Sequence, residues 1–296
     1  MPAPRARGRP HLRLIPSRPV PFRSVRGGPP WKPPPAHAEP VAGDAIGHLL
    51  RRCWAARAEP GAVFEVIERS DGFVGVCDAA EYFTPFEDWP ERERLLTARA
   101  RGAVLDIGCG AGRHALHLLK EGLDVTAVDS SPGAVAVCRE RALPALLGSA
   151  EHLPCAEGAF DTLLALGANL GLLGGRARAA STLAEFARVA APGARLLATG
   201  RDPYASTDRV HTDYHEANRR ARRMAGQLRI RIRSGALAGP YFDYLYCSLP
   251  ELEELLAPSG WTLSEAFESP GGGYGVVLAL TRRPGRRPPP IPMERP

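Results

Sequence analysis

From residue 103 onward, short apolar runs alternate with stretches of helical periodicity, the pattern of a parallel sheet with crossover helices. The strands fall at residues 103–107, 125–128, about 145–148, 160–166 and 195–199, and the helices at 112–121, 132–141 and about 177–190. Gly122 ends the first helix, Ser131-Pro132 opens the second, and Pro192-Gly193 turns the third into its strand. Residues 202–248 break this rhythm with a polar helix at 208–224. There Leu228, Ile230 and Ile232 alternate with Arg229, Arg231 and Arg233, a strand whose partner runs over about 240–248. Alternation resumes with a helix at 250–257 and strands at 261–267 and 274–281. Upstream, Ile46, Leu49, Leu50, Cys53 and Trp54 mark a helix within 43–57. Strands at 63–67 and 73–77 flank the turn Ser70-Asp71-Gly72, and a helix follows over 90–100.

Composition changes this picture mainly at the ends. The formal charge of +6 is concentrated in residues 1–38, which hold seven Arg and Lys32 and no acidic residue; the remainder is near −2. A basic tail argues far less for nucleic acid than a basic domain would. Twelve Pro in the first 40 residues predict disorder and oppose an amphipathic transit helix; no apolar stretch makes a secretory signal. The 36 Arg against Lys32 and Lys120 look like a coding bias before they look like a function. No apolar run reaches the roughly 18 residues of a membrane span. Six cysteines (53, 77, 109, 138, 155, 247) without C-x-x-C or metal-like spacing suggest reduced thiols in the cytoplasm and no metal site. The expected organisation is a basic Pro-rich tail at 1–40, an N-terminal cap at 41–102, an α/β domain at 103–283 with a cap insertion at 202–248, and a second disordered tail at 284–296.

The chemistry concentrates in Val104-Leu-Asp-Ile-Gly-Cys-Gly-Ala-Gly112, a strand running through a glycine loop into a helix. Gly108, Gly110 and Gly112 allow a sharp turn and close approach of a ligand, and the helix N-terminus favours an anionic group. Asp106 is placed to accept from an ammonium or to brace the loop. A nicotinamide enzyme shows G-x-G-x-x-G, but Arg113 stands at the third glycine position here. Asp129 ends the second strand 23 residues after Asp106, where an acid accepts from ribose hydroxyls, with Ser130 beside it. The alternative for Asp129 is a helix N-terminal charge beside Ser131-Pro132.

By these residues the chain resembles the class I S-adenosylmethionine-dependent methyltransferases, closely over roughly 103–200 and in outline over 250–283. The wider string Tyr82-Phe83…Trp89-Pro90, the glycine loop and Gly167-Ala-Asn169 resembles bacterial small-molecule enzymes of that family. The resemblance implies a doubly wound, Rossmann-like sheet of seven strands, the last antiparallel, and S-adenosyl-L-methionine as cofactor. It implies adenine contacts from Ala150 and Glu151, Ser149 standing where the family often has Asp. It also implies that the fourth strand's end faces the methyl group, so Gly167 leaves space and Asn169 orients a substrate or bonds its own loop.

The other pieces are expected to cover the strands' carboxyl ends, where ligands bind in such sheets. Tyr82, His211, Tyr214 and Tyr241 are the candidate contacts to a small-molecule acceptor. Seven Arg between 219 and 233 with nearby tyrosines read first as a solvated face, then as an acidic-substrate site, and least as a nucleic-acid surface. Pro154-Cys155 precedes the fourth strand and lacks the context of a cytosine-methylating nucleophile; Cys109 reads as a small buried filler. No residue identifies itself as a general base. A non-catalytic binding protein of the same fold and a nicotinamide oxidoreductase are the competing readings.

Overall fold

The structure, a computed structural model, describes residues 40–281 and the backbone of a short strand, β1 (Leu12–Leu14). Apart from that paired strand, the tail expectations at 1–40 and 284–296 lie outside the described residues. The N-terminal portion gives β2 (Val41–Ala42), α1 (Ala45–Ala55), β3 (Phe64–Arg69), β4 (Val74–Asp78) and, after two single 3₁₀ turns, α2 (Glu91–Thr97). The alternating portion follows as β5 (Ala103–Ile107), α3 (Arg113–Lys120), β6 (Asp124–Asp129), α4 (Pro132–Glu140), β7 (Ala145–Leu147), β8 (Phe160–Ala165), α5 (Arg176–Val189) and β9 (Ala190–Arg201). The insertion contributes α6 (Arg209–Arg220), β10 (Gln227–Ser234), β11 (Leu237–Ala238) and β12 (Phe242–Leu245). The chain closes on α7 (Leu249–Leu256), β13 (Trp261–Glu268) and β14 (Gly273–Leu280).

The main sheet has the order β1-β13-β14-β9-β8-β5-β6-β7. Strands β9-β8-β5-β6-β7 are parallel, and β14 runs antiparallel to both neighbours. The expected seven strands are therefore present, and β1 adds an eighth at the edge, parallel to β13. Its central strands are apolar on both faces because helices cover both. Leu105, Leu163 and Leu196 join one core, while their neighbours Val104, Leu164 and Leu197 join the other, as a period of two demands. Local signals set the helix starts. Ser131 accepts from the Ala134 N–H at the head of α4 with Pro132 at its first position, and Ser248 with Glu251 forms a capping box on α7.

A second sheet was not foreseen as one unit. Its order is β2-β11-β10-β3-β4, with β12 also paired to β10. The hairpin expected at 63–77 and the strand pair expected in the insertion are thus joined along β3 and β10, from Arg69↔Ile230 to Val66↔Arg233. Residues about 160 positions apart in sequence form this seam, so no local pattern announces it.

Candidate active site

The glycine loop lies between β5 and α3. Gly108, Gly110 and Gly112 all have positive φ (69°, 57° and 78°), which explains the residue type directly. Their missing side chains, however, make room for protein. A Cβ on Gly108 would lie 2.7 Å from Asn169 Nδ2, one on Gly112 2.4 Å from Leu143, and one on Gly110 3.1 Å from the Tyr82 ring. The expectation that these glycines are bare for a ligand is corrected to that extent. Gly167, also at positive φ, has nothing within 4 Å of its Cβ position and is exposed, so open space does exist at the end of β8.

Two buried acids frame the loop. Asp106 is fully buried, and burial pushes its carboxyl up, although His114, the Ala115 N–H and Arg113 oppose the shift. Among the described residues its Oδ2 has no hydrogen-bond partner, a costly arrangement that a cationic donor beside the loop would relieve. Asp129 accepts from the Gly110 N–H at 2.9 Å and from the Ser131 N–H at 2.9 Å. Burial raises its carboxyl to about 6 against those two hydrogen bonds. Asp129 therefore ties the loop to the head of α4, and Ser130 beside it is exposed. Ala150 is half-buried against the core, and Glu151 is held by Arg178.

The N-terminal portion is bolted to this loop by groups that sequence reading passed over. Asp44 caps α1 at the Gly47 N–H (2.9 Å) and also accepts from Ser131 Oγ (2.8 Å) and the Gly133 N–H (2.8 Å). Glu93 on α2 is 2% exposed and accepts from Arg113 Nη2 (2.8 Å), with His114 Nε2 at 2.9 Å. Burial opposes its charge, yet His114, Arg113 and Arg92 hold its carboxyl below the usual range. Arg113 also donates to the Glu81 carbonyl and Thr84 Oγ1. The residue that excluded a nicotinamide loop is thus a fastener for the cap.

Of the expected acceptor contacts, Tyr82 reaches the site: its ring rests on Gly110 and its hydroxyl donates to Glu65 Oε1 at 3.1 Å. Asn169 donates to the Ile107 and Gly108 carbonyls (3.0 and 2.9 Å), so it braces the loop with its amide. Tyr241, His211 and Tyr214 are occupied elsewhere. Tyr241 donates to Glu68 Oε1 (2.9 Å), and Glu68 and Glu65 differ in strand parity, which puts them on opposite faces of β3. Tyr214 lies under the Arg69 guanidinium (4.1 Å) and His211 Nδ1 is 3.1 Å from Arg69 Nη1, four residues along the strand from Glu65. Tyr244 was missed: its hydroxyl donates to the Ala168 carbonyl at 2.7 Å, and its ring fills the space a side chain at Gly171 would need. Only the pairing of β12 with β10 brings it there. A separate cavity of about 170 Å³, lined by Asp202, Pro250, Glu268 and Tyr274 among others, contains no glycine-loop residue.

Among the described residues there is no cluster able to hold a metal ion, and no helix is long and apolar enough to cross a membrane. All six cysteines are unpaired; Cys109 is buried as expected.

Residues 104–193 match a family described as "Methyltransferase domain". An uncharacterized methyltransferase of Mycobacterium tuberculosis is 42% identical over 112 residues, covering 37% of this chain and 41% of that protein. A mouse tRNA (carboxymethyluridine(34)-5-O)-methyltransferase is 32% identical over 115 residues, covering 38% of this chain and 17% of that protein. The chain thus spans less than half the length of these relatives. A solved SAM-dependent methyltransferase from Bacteroides fragilis, in complex with S-adenosyl-L-homocysteine, superposes with a TM-score of 0.67 at 24% identity, covering 81% of this chain and 95% of that one. Sheet order, reversed β14 and family match agree: residues 104–193 are similar to a methyltransferase domain, and the chain shares the fold of that solved methyltransferase.

Proposed function

We propose that this chain is a methyltransferase that uses S-adenosyl-L-methionine and acts on a small molecule held between the two sheets. The observation that carries the reading is the loop after β5, framed by Asp106 with its unpartnered Oδ2 and by Asp129 across it. Those residues fit a ligand with an ammonium at one end and a ribose in the middle. Asp106 then faces the ammonium, Asp129 with Ser130 accepts from the ribose hydroxyls, Ala150 and Glu151 border the adenine, and the open space at Gly167 takes the reacting end. Bound there, the cofactor supplies a methyl group already activated by its sulfonium. The chain's own part is alignment and exclusion of water: α1, α2 and the second sheet close over the strand ends.

A small acceptor is favoured over nucleic acid by the fate of the arginines at 219–233. Arg231 and Arg233 pair with Glu68, Arg223 and Arg229 with Asp243, and Arg220 with Glu216. A phosphate-binding face would leave most of these charges unpaired. Calorimetry of the full chain tests the cofactor: S-adenosyl-L-methionine and S-adenosyl-L-homocysteine should bind saturably. Asp129→Ala should weaken both by about 1.5–3 kcal/mol, the range for a hydrogen bond to a charged group. Saturable binding of NAD with none of S-adenosyl-L-methionine would overturn the reading.

A further inference from the structure

The second sheet carries a buried carboxylate that the proposed cofactor contacts leave unused. Glu65 on β3 is only 6% exposed. Its Oε1 accepts from Tyr82, and among the described residues no protein donor reaches Oε2. Among the described residues no Arg, Lys or His neutralises it. The titratable groups around it are Glu81 and Tyr82 from the turn after β4, Cys77 from β4, Tyr244 from β12 and Tyr246 just after it. The surroundings of Glu65 are thus acidic or neutral, in a chain otherwise rich in Arg.

Three tyrosines stand about it. Tyr82 is pinned between Glu65 and Gly110, Tyr244 is pinned to Ala168 beside Gly167, and Tyr246 meets Tyr244 edge-on at 6.0 Å between centroids. All three residues are partly buried rather than sealed. A buried, unpaired carboxylate is expensive unless a ligand offsets it. Electron-rich ring faces around a carboxylate are the recognition chemistry of an ammonium group. The cluster also bridges the glycine loop, through Tyr82, and the end of β8, through Tyr244.

We infer that Glu65, Tyr82, Tyr244 and Tyr246 form the acceptor site and that the acceptor is an amine, held as its ammonium form and deprotonated by Glu65. The inference rests on the methyltransferase reading and names its substrate class. The ammonium proton passes to Glu65, which leaves the nitrogen with a lone pair. The nitrogen–methyl bond then forms as the donor's carbon–sulfur bond breaks, and that electron pair stays on a now neutral sulfur. The product leaves as a methylated ammonium, and Glu65 returns its proton to solvent. Burial, reinforced by Glu81 and opposed by the Tyr82 hydrogen bond, pushes the Glu65 carboxyl up to about 7, near the range where a group can take and return a proton at neutral pH.

The test uses the full chain and separates the two readings. Saturation with S-adenosyl-L-homocysteine is measured first; its failure sinks the methyltransferase reading itself. Primary amines from methylamine to phenethylamine, each paired with the alcohol of the same skeleton, are then titrated calorimetrically into the saturated protein at pH 8. At least one amine should bind ten-fold or more tightly than its alcohol. Glu65→Gln, which keeps an acceptor for Tyr82, should erase that margin while leaving S-adenosyl-L-homocysteine affinity within two-fold. Tyr241→Phe, whose hydroxyl donates to Glu68 on the opposite face of β3, should retain the margin, and cooperative thermal unfolding of Glu65→Gln guards against reading a folding defect as loss of recognition. No preference for any amine in the series, or a preference that survives Glu65→Gln, overturns the inference.

Discussion

The two sheets bury different chemistry. The main sheet is largely apolar through both faces; Thr162 and Thr199 are buried on its strands, but its buried charge is confined to the loop end, at Asp106 and Asp129. The second sheet is small and buries charge: Glu65 and Arg69 lie on one face of β3, with His215 and Asn218 buried on α6 beside it, while Glu93 is buried on α2 against the head of α3. Apolar burial holds a sheet together, whereas each buried charge needs a partner or a ligand. Arg69 has its partner in Asp71, and Glu93 has Arg113 and His114. Among the described residues Glu65 has a hydroxyl alone. The contrast separates scaffold from site.

The largest effect should come from the scaffold. Leu163 is wholly buried in the central strand β8, so Leu163→Ala should cost about 2–5 kcal/mol in denaturant unfolding. A loss below 1 kcal/mol would mean that the main sheet does not carry the stability of the molecule.

The second prediction reads Glu65 through pH. Its carboxyl lies at about 7 in the folded chain against an ordinary value of 4.5. The folded state therefore favours the protonated form. Stability from this group is fully present below about pH 4.5 and is lost as pH rises through 7, about 3 kcal/mol in all. Asp129, raised to about 6, adds a slope of the same sign at slightly lower pH. Glu93, Glu68 and Asp71 are shifted downward and act oppositely in acid, so the difference between wild type and Glu65→Gln isolates the term. That difference should grow between pH 4.5 and 7, with the variant gaining relative stability. A constant difference would mean that Glu65 is not confined in its buried form.

These contrasts also explain what was legible in the sequence. The strands of the main sheet and the acids at 106 and 129 were readable because each depends on neighbours a few residues away, while the reversed last strand came from the family resemblance. Asp44, Glu65 and Tyr244 were not. Glu65 lies in Glu65-Val66-Ile67-Glu68-Arg69, where acids fall on both parities and neither announces the buried face. Tyr241, Tyr244 and Tyr246 look alike in sequence, and the pairing of β12 with β10 decides their surroundings. Of the insertion's tyrosines, Tyr214 and Tyr241 meet Arg69 and Glu68, whereas Tyr244 bonds to Ala168 beside Gly167.

The seam between cap and domain offers a third test. Gly47 on α1 and Gly133 on α4 touch through their backbones; a Cβ on Gly133 would lie 2.4 Å from the Gly47 Cα. No flexible side chain is there to yield. Gly133→Ala should therefore cost about 1–3 kcal/mol, the usual range for overpacking. It should also weaken S-adenosyl-L-homocysteine binding, since Asp44 links α1 to Ser131 beside Asp129. Destabilisation with unchanged affinity would show that the cap and the cofactor loop are independent.

The smallest effect sharpens the comparison most, because it opposes two faces of the second sheet. Tyr241→Phe removes the hydroxyl that donates to Glu68. Glu68 keeps Arg231 and Arg233, which together with Tyr241 hold its carboxyl below the usual range despite burial, so the carboxylate is not orphaned. One hydrogen bond at a partly solvated site is worth about 0.5–1.5 kcal/mol, and the lower end applies here. Tyr244→Phe removes a comparable bond, to the Ala168 carbonyl, on the face toward Gly167. Ala168 has a positive φ of 68°, a conformation that a residue with a Cβ keeps only under constraint. Both variants should lose similar, modest stability, yet Tyr244→Phe alone should shift the binding of amine probes to the S-adenosyl-L-homocysteine complex. Equal effects on amine binding from Tyr241→Phe would place the acceptor on the Glu68 face and reverse the assignment of inside and outside.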